Sequence, residues 1–298
     1  MHQAVTESQL PEMIAHCRNC GYMLFFSVRF IGTLFLALGE ILRCCAQDNY
    51  EIQVYGSETV PNYSTMFELH SNVTVFGMKQ SVNGVVLSQY AWHETLEITQ
   101  GITPWFEIGG YLFLSGNKGD YLLHWVGDHI RPRFRIPEKW NWPVGLSLST
   151  EVGYQRREYC EDTWTLEIRP IIDKEYKNFY VAFNPVVDYS IQGLNHDAGP
   201  QFSPDIKMSY KFFKKVQVEV GFEYYGSIGA FKKIDPLPQQ QHQIGPVVDI
   251  DISPVWEINV GYMFGLTPAT DKGIVKLILG RRADWKKHAK KAPPSTLL

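Results

Sequence analysis

Beyond its first fifty residues, this 298-residue chain has no stretch approaching the roughly 18 consecutive apolar residues of a membrane-spanning helix. Its mean hydropathy of −0.18 likewise excludes a helical multi-pass membrane protein. Cysteine is almost missing from the body. Four of the five (Cys17, Cys20, Cys44, Cys45) precede residue 46, leaving Cys160 alone and excluding a disulfide framework. Cys17 and Cys20 have zinc-knuckle spacing, but no second pair accompanies them, so no metal site is expected. Gly-rich phosphate loops are absent and the basic C-terminal stretch lacks interleaved aromatics beyond Trp285, which argues against cofactors, nucleotides and nucleic acids. Amphipathic helices of ordinary length are missing too.

What is present starts with an apolar run, Met23 to Gly39, that carries one charge, Arg29, and precedes "CCAQDN". Cys44 and Ala46 make a small-residue cleavage site, so residues 1–46 read as a leader with a secretory signal peptide cut before Gln47; an anchored N-terminus is the competing reading. Charge is uneven. The leader is balanced and Arg281 to Leu298 carries about +5, which leaves about −8 on residues 47 to 280, given −3 overall. The expected organisation is this leader, a short segment 47–63 that enters a lumen or lies across its mouth, a β domain over 64–281, and a basic, disordered tail over 282–298.

From Ser64 onward the period is two. In "TMFELHSNVTVF", Phe67, Leu69, Val73 and Val75 alternate with Glu68, His70, Asn72 and Thr74, the pattern of a half-buried strand. About twelve such segments follow, near 64–77, 89–101, 104–115, 120–136, 143–156, 163–173, 178–190, 201–212, 215–226, 243–253, 255–265 and 273–281. Connections after even-numbered segments are mostly tight, such as "GIT" and "SP". Those after odd-numbered ones tend to be longer and rich in Gly, Asn and Asp, "SGNKG" and "QGLNHDAG" among them. Short turns at one end, long loops at the other and an even strand count predict an all-β fold: a transmembrane, antiparallel, up-and-down β-barrel of about 12 strands, with short periplasmic turns and longer external loops.

Face composition separates this fold from a soluble sandwich. The apolar face is bounded at the turn end by an aromatic girdle of Trp105, Trp140, Trp142 and Trp256, and towards the loops by Tyr90, Trp92, Tyr154, Tyr224 and Tyr262. The other face is too charged for a dry core, with Glu68, Glu97, Glu151, Asp188 and Asp249 among its residues. In a membrane barrel these side chains line a wet interior.

A repeated motif refines the picture. "ITPWFEIGGYL" at 102–112 and "ISPVWEINVGY" at 252–262 share a Pro turn, an aromatic and a Glu, and "KKVQVEVGFEYY" at 214–225 is a weaker copy. Each copy reads as a turn, a lipid-facing residue (Phe106, Trp256, Val218) and a lumen-facing Glu: Glu107, Glu257 and Glu219. The fourth segment ends "RPRFRI", placing Arg131, Arg133 and Arg135 on one face at the same height. This predicts a charged belt, with Glu167 and Arg169 also among the lumen and constriction residues, that is either a salt-bridged brace or a solute-selecting constriction.

No catalytic set emerges. Strand pleat puts His70 inside and Ser71 outside, His93 and Glu97 lie about 13 Å apart along a strand, and His196 and Asp197 fall in a loop. The stretches "STMFELHSN", "FNPVVDYSIQG", "FSPDIKMSYKF" and "QQQHQIGPVVDIDISPVWEINVGYMFGLTPATDK" resemble bacterial outer-membrane β-barrels of the small porin and transporter type, near the family of the outer-membrane protein associated with phenol degradation. The resemblance covers roughly 50 to 281. It implies architecture more than substrate; the expected protein is a monomer in the outer-membrane bilayer that passes small solutes through a narrow charged lumen, without enzymatic activity. A closed structural or surface-interaction barrel is the alternative, and an outer-membrane lipid hydrolase a further one. Such barrels usually end on an aromatic residue, where this chain adds "RRADWKKHAKKAPPSTLL".

Overall fold

The computed structural model describes residues 49–212 and 216–285. The leader and signal peptide expected over 1–46, with the Cys17–Cys20 pair, and the tail beyond Trp285 lie outside the described residues. Twelve long strands close into one antiparallel barrel: β1 (Ser64–Phe76), β2 (Ala91–Thr103), β3 (Phe106–Asn117), β4 (Asp120–Arg135), β5 (Gly145–Gln155), β6 (Asp162–Tyr176), β7 (Phe179–Gly193), β8 (Gln201–Lys211), β9 (Gln217–Ser227), β12 (Gln241–Ser253), β13 (Trp256–Gly265) and β14 (Gly273–Asp284). Two-residue strands β10 (Gly229–Ala230) and β11 (Lys233–Ile234) form a small hairpin within the loop after β9, resting on the start of β8. Closure comes from β1 pairing with β14, from Ser64 opposite Asp284 to Phe76 opposite Gly273. Strand β14 thus runs three residues past the expected end at 281, so Arg282 belongs to the inner wall.

Strands of 10 to 16 residues at about 3.4 Å per residue and a tilt of about 45° climb roughly 25 Å or more, a hydrocarbon thickness. Alternation sets what faces where. Phe67, Leu69 and Val73 point outward and exposed, while Glu68, His70, Asn72 and Thr74 between them are buried. At the turn end Trp105, Trp140, Trp142 and Trp256 are exposed on the outside, and Phe106 and Phe134 stack at 4.5 Å beneath Trp105. Near the loop end Tyr154 packs between Trp125 and Trp164.

The two strong copies of the repeat form the same device. β2–β3 and β12–β13 turn through two residues each, and the N–H of the second, Trp105 or Val255, donates to the hydroxyl two residues earlier, Thr103 or Ser253, at 3.3 Å. A hydroxyl there closes the turn locally, which is why both copies keep Thr or Ser before Pro. One connection departs from expectation: "SGNKG" is not a long loop, because β3 and β4 continue until only Lys118 and Gly119 join them.

Candidate functional site

The barrel interior is filled by its own N-terminal segment. Asn49 lies at the loop end, where its amide donates to Asp271 at 2.9 Å and its carbonyl accepts from Asn72 at 3.0 Å. Halfway down, Asn184 of β7 grips the backbone of Tyr55 on both sides, accepting from its N–H at 2.8 Å and donating to its carbonyl at 2.9 Å. Ser57 then meets Asp173 through backbone N–H and hydroxyl, at 2.8 and 2.7 Å, and the Val60 N–H donates to Glu107 at 2.5 Å. The segment therefore crosses the lumen from loop end to turn end before reversing into β1. Gly101 and Gly145 make room for it: a Cβ on Gly101 would stand 2.1 Å from the Pro61 carbonyl oxygen, and one on Gly145 would stand 2.2 Å from the Ser57 hydroxyl.

Alternation inside the plug matches the wall. Ile52 and Val54 are fully buried against Ala182, Val247, Met263 and Ile274, inward-facing residues of β7 and β12–β14. Tyr55, from the other face, has the guanidiniums of Arg131, Arg133 and Arg169 at 5.1, 5.5 and 5.2 Å from its ring centroid, a cation–π arrangement strengthened by the absence of competing bulk water. Its hydroxyl makes a short hydrogen bond to Glu51.

The predicted charged residues divide into separate groups. Arg131 bridges Glu97 at 2.5 Å and Glu107 at 3.1 Å, and Arg133 meets Glu107 at 2.6 Å and donates to the Gly56 carbonyl at 3.3 Å. Arg135 leaves the group and pairs at the rim with Glu138, at 3.2 Å. Glu219 is not brought to the arginines; it accepts from Ser209 at 2.8 Å and lies 3.4 Å from Lys211. Glu257 is buried on the inner face of β13, where it shares Gly280 of β14 as a cross-strand neighbour with Glu68 of β1. Arg169 holds Glu167 at 2.6 Å and Asp205 at 3.0 Å.

A further group escaped sequence reasoning: Lys207 bridges Asp249 at 2.7 Å and Lys276 bridges Glu223 at 2.6 Å, all four buried. Parity alone places these lysines inside, but their pairing spans β8, β9, β12 and β14 and depends on register. His93, set aside as a zinc ligand, lies 3.3 Å from the Ser115 hydroxyl. The Tyr50 ring covers it edge-on at 4.6 Å, and among the described residues no carboxylate hydrogen bonds to it, so the pair lacks the orienting acid of a hydrolytic triad.

Space remains on both sides of the plug. Above it, a cavity of about 100 Å³ is lined by Glu51, Glu151, Glu167, Asp188 and Asp205 with Arg169 as counter-charge. At the turn-end rim, a groove of about 1260 Å³ runs between Glu58, Trp105, Arg135 and Trp140.

A closed wall with apolar side chains outward, aromatic girdles and charged side chains inward defines a transmembrane β-barrel of the outer-membrane class. Over residues 131–275 the chain matches the family described as "Putative MetA-pathway of phenol degradation", and it resembles that group of outer-membrane barrels. No curated protein matches the chain. Among solved structures it is similar to the NanC porin (8% identity, 74% of this chain and 100% of that one, TM-score 0.44). It is also similar to Omp33 of Acinetobacter baumannii (12%, 74% and 98%, 0.39) and to LpxR from Salmonella typhimurium (10%, 72% and 99%, 0.39).

Proposed function

We propose that this barrel is an outer-membrane channel for the passive passage of small solutes, closed in the conformation described here by residues 49–60 and conducting when that segment leaves the lumen. The observation that supports it is the way the plug is held. Its backbone is gripped by side chains of Asn72, Asn184, Asp173 and Glu107, which water can replace on release, within a wall whose charged groups remain largely paired with one another. Acidic residues around the cavity above the plug favour cations or small cationic solutes on that side. The barrel acts as a monomer without cofactor.

The test is single-channel conductance in planar bilayers, comparing the mature chain with a variant lacking residues 47–60. Both are first shown to be folded by a gel shift between boiled and unboiled samples, since a closed barrel keeps its strands paired in detergent. Brief openings are expected from the full chain and a steady, larger current from the deletion. A folded deletion variant with no current overturns the channel and supports the closed barrel. For that second reading the favouring observation is the loop after β9, which exposes Phe231, Ile234 and Leu237 to a surface partner.

A further inference from the structure

Glu68 and Glu97 stand directly opposite each other on neighbouring strands, both pointing inward and both buried. Like charges directly across a strand pair destabilise it. Glu97 has compensation: one oxygen accepts from Arg131 and from Thr99, at 2.5 and 2.8 Å. Glu68 has none of that kind, because Arg131 is shared between Glu97 and Glu107, Arg133 is held by Glu107, and no Lys or Arg forms an ion pair with Glu68 among the described residues. Two residues along β1, His70 is fully buried. Its Nδ1 has no hydrogen-bond partner, its Nε2 has only a long contact to Glu97 Oε2, and Glu68 Oε1 is buried without a partner.

These groups converge. One donor atom each from Glu68, His70 and Glu97 lies within 4.8 Å of the others. The His70 Nε2 to Glu97 Oε2 distance is 3.4 Å, long for a charge-assisted hydrogen bond. It is close to the roughly 3.3 Å that separates two ligand atoms on one tetrahedral ion with bonds of about 2.0 Å. Glu68 lies within 4.8 Å of both, so a shift of at most about 1.5 Å completes a three-ligand set.

We infer that Glu68, His70 and Glu97 form a binding site for a divalent transition-metal cation on the inner wall, of the Zn²⁺ or Mn²⁺ class that one imidazole and two carboxylates favour. The cation replaces the missing positive charge between the two strands and pins β1 to β2 beside the arginine group. This inference is independent of whether the plug leaves.

Because the site is enclosed, the metal is supplied during folding. The full mature chain is refolded from urea into detergent with either EDTA or Zn²⁺, freed of unbound metal, and assayed for zinc content and urea unfolding midpoint. The expected result is about one zinc per chain and a higher midpoint than the EDTA sample. His70→Gln and Glu68→Gln, each verified as folded by the gel shift, should retain less than a tenth of the zinc and lose the midpoint difference. Refolding the unaltered chain with Co²⁺ should also give the visible absorption of a low-symmetry, four- or five-coordinate site, a readout that needs no variant. Zinc-free protein with an unchanged midpoint overturns the site, as does equal zinc in the folded His70→Gln variant or a Co²⁺ spectrum like that of the hydrated ion.

Discussion

The two sides of the lumen hold the plug by different contacts. Along β2–β4 the inner wall offers Glu97, Glu107, Arg131 and Arg133, a dense group of charges paired with one another. Along β7 and β12–β14 it adds, beside the paired Asp249 and Lys276, an apolar patch of Ala182, Val247, Met263 and Ile274, fully buried where a water-filled pore would want polar residues. One extended segment satisfies both, because its period-two alternation turns Ile52 and Val54 to the apolar side and Tyr55 to the guanidiniums. The wall and the plug are therefore complementary. Desolvated charges alone would leave the plug's backbone groups to compete with water, and an apolar seam alone would not fix its register.

Breaking the charged side should have the largest effect. Arg133 is 1% exposed, pairs with Glu107, reaches the Gly56 carbonyl and faces the Tyr55 ring. Arg133→Glu places a second carboxylate against Glu107 in a confined space and removes the plug's partner, at a cost on the order of 3–5 kcal/mol. A clearly lowered urea midpoint is expected, together with a reversal potential shifted towards cation preference in whatever current flows. An unchanged midpoint and reversal potential would put Arg133 outside the constriction.

The apolar side is broken more gently. Ile52→Ala removes packing against Ala182, Val247, Met263 and Ile274 and should weaken plug docking by about 2–4 kcal/mol. The barrel itself should keep its heat-modifiable migration, since strand pairing does not depend on Ile52. The measurement is protease sensitivity of the N-terminal segment in the intact barrel, which should rise in the variant. Equal protection in both proteins would show that the polar grips alone hold the segment.

Much of this architecture is legible in the sequence. All twelve barrel strands fall within about three residues of the alternating segments at nearly every end, and the inward or outward facing of Phe67, Glu68, Trp256 and Glu257 follows from pleat alone. What parity cannot give is height and register. Glu107, Glu219 and Glu257 follow similar turns, yet strand stagger around the barrel brings Glu107 to Arg131 and Arg133 and leaves Glu219 beside Lys211. "GIVKLILG" carries a further signal: its alternation fades because Ile274 and Ile278 face inward alongside Lys276. An apolar inner wall in an otherwise charged lumen implies that something apolar fills it. The metal-like convergence was hidden for the same reason, since His70 and Glu97 meet only across the β1–β2 register.

A pH dependence sharpens the comparison at the plug's polar edge. Glu51 lies on the plug and not on a membrane-crossing strand, and burial, with Glu151 nearby, pushes its carboxyl from 4.5 up to about 8. Tyr55 and Tyr111 face it as hydroxyl donors, and Arg169 partly offsets the rise. The docked segment thus binds a proton that the undocked one releases, so docking is firmest below about pH 4.5, weakens as pH rises from there to about 8, and levels off above. Glu51→Gln keeps the size and removes the titration. The full chain should show channel openings, or N-terminal protease cleavage, that increase across this range, while the Gln variant should hold a nearly flat profile at the low-pH level. A Gln variant whose profile follows that of the unaltered chain would assign the pH response to other groups around the cavity, Glu151 and Asp188 first among them.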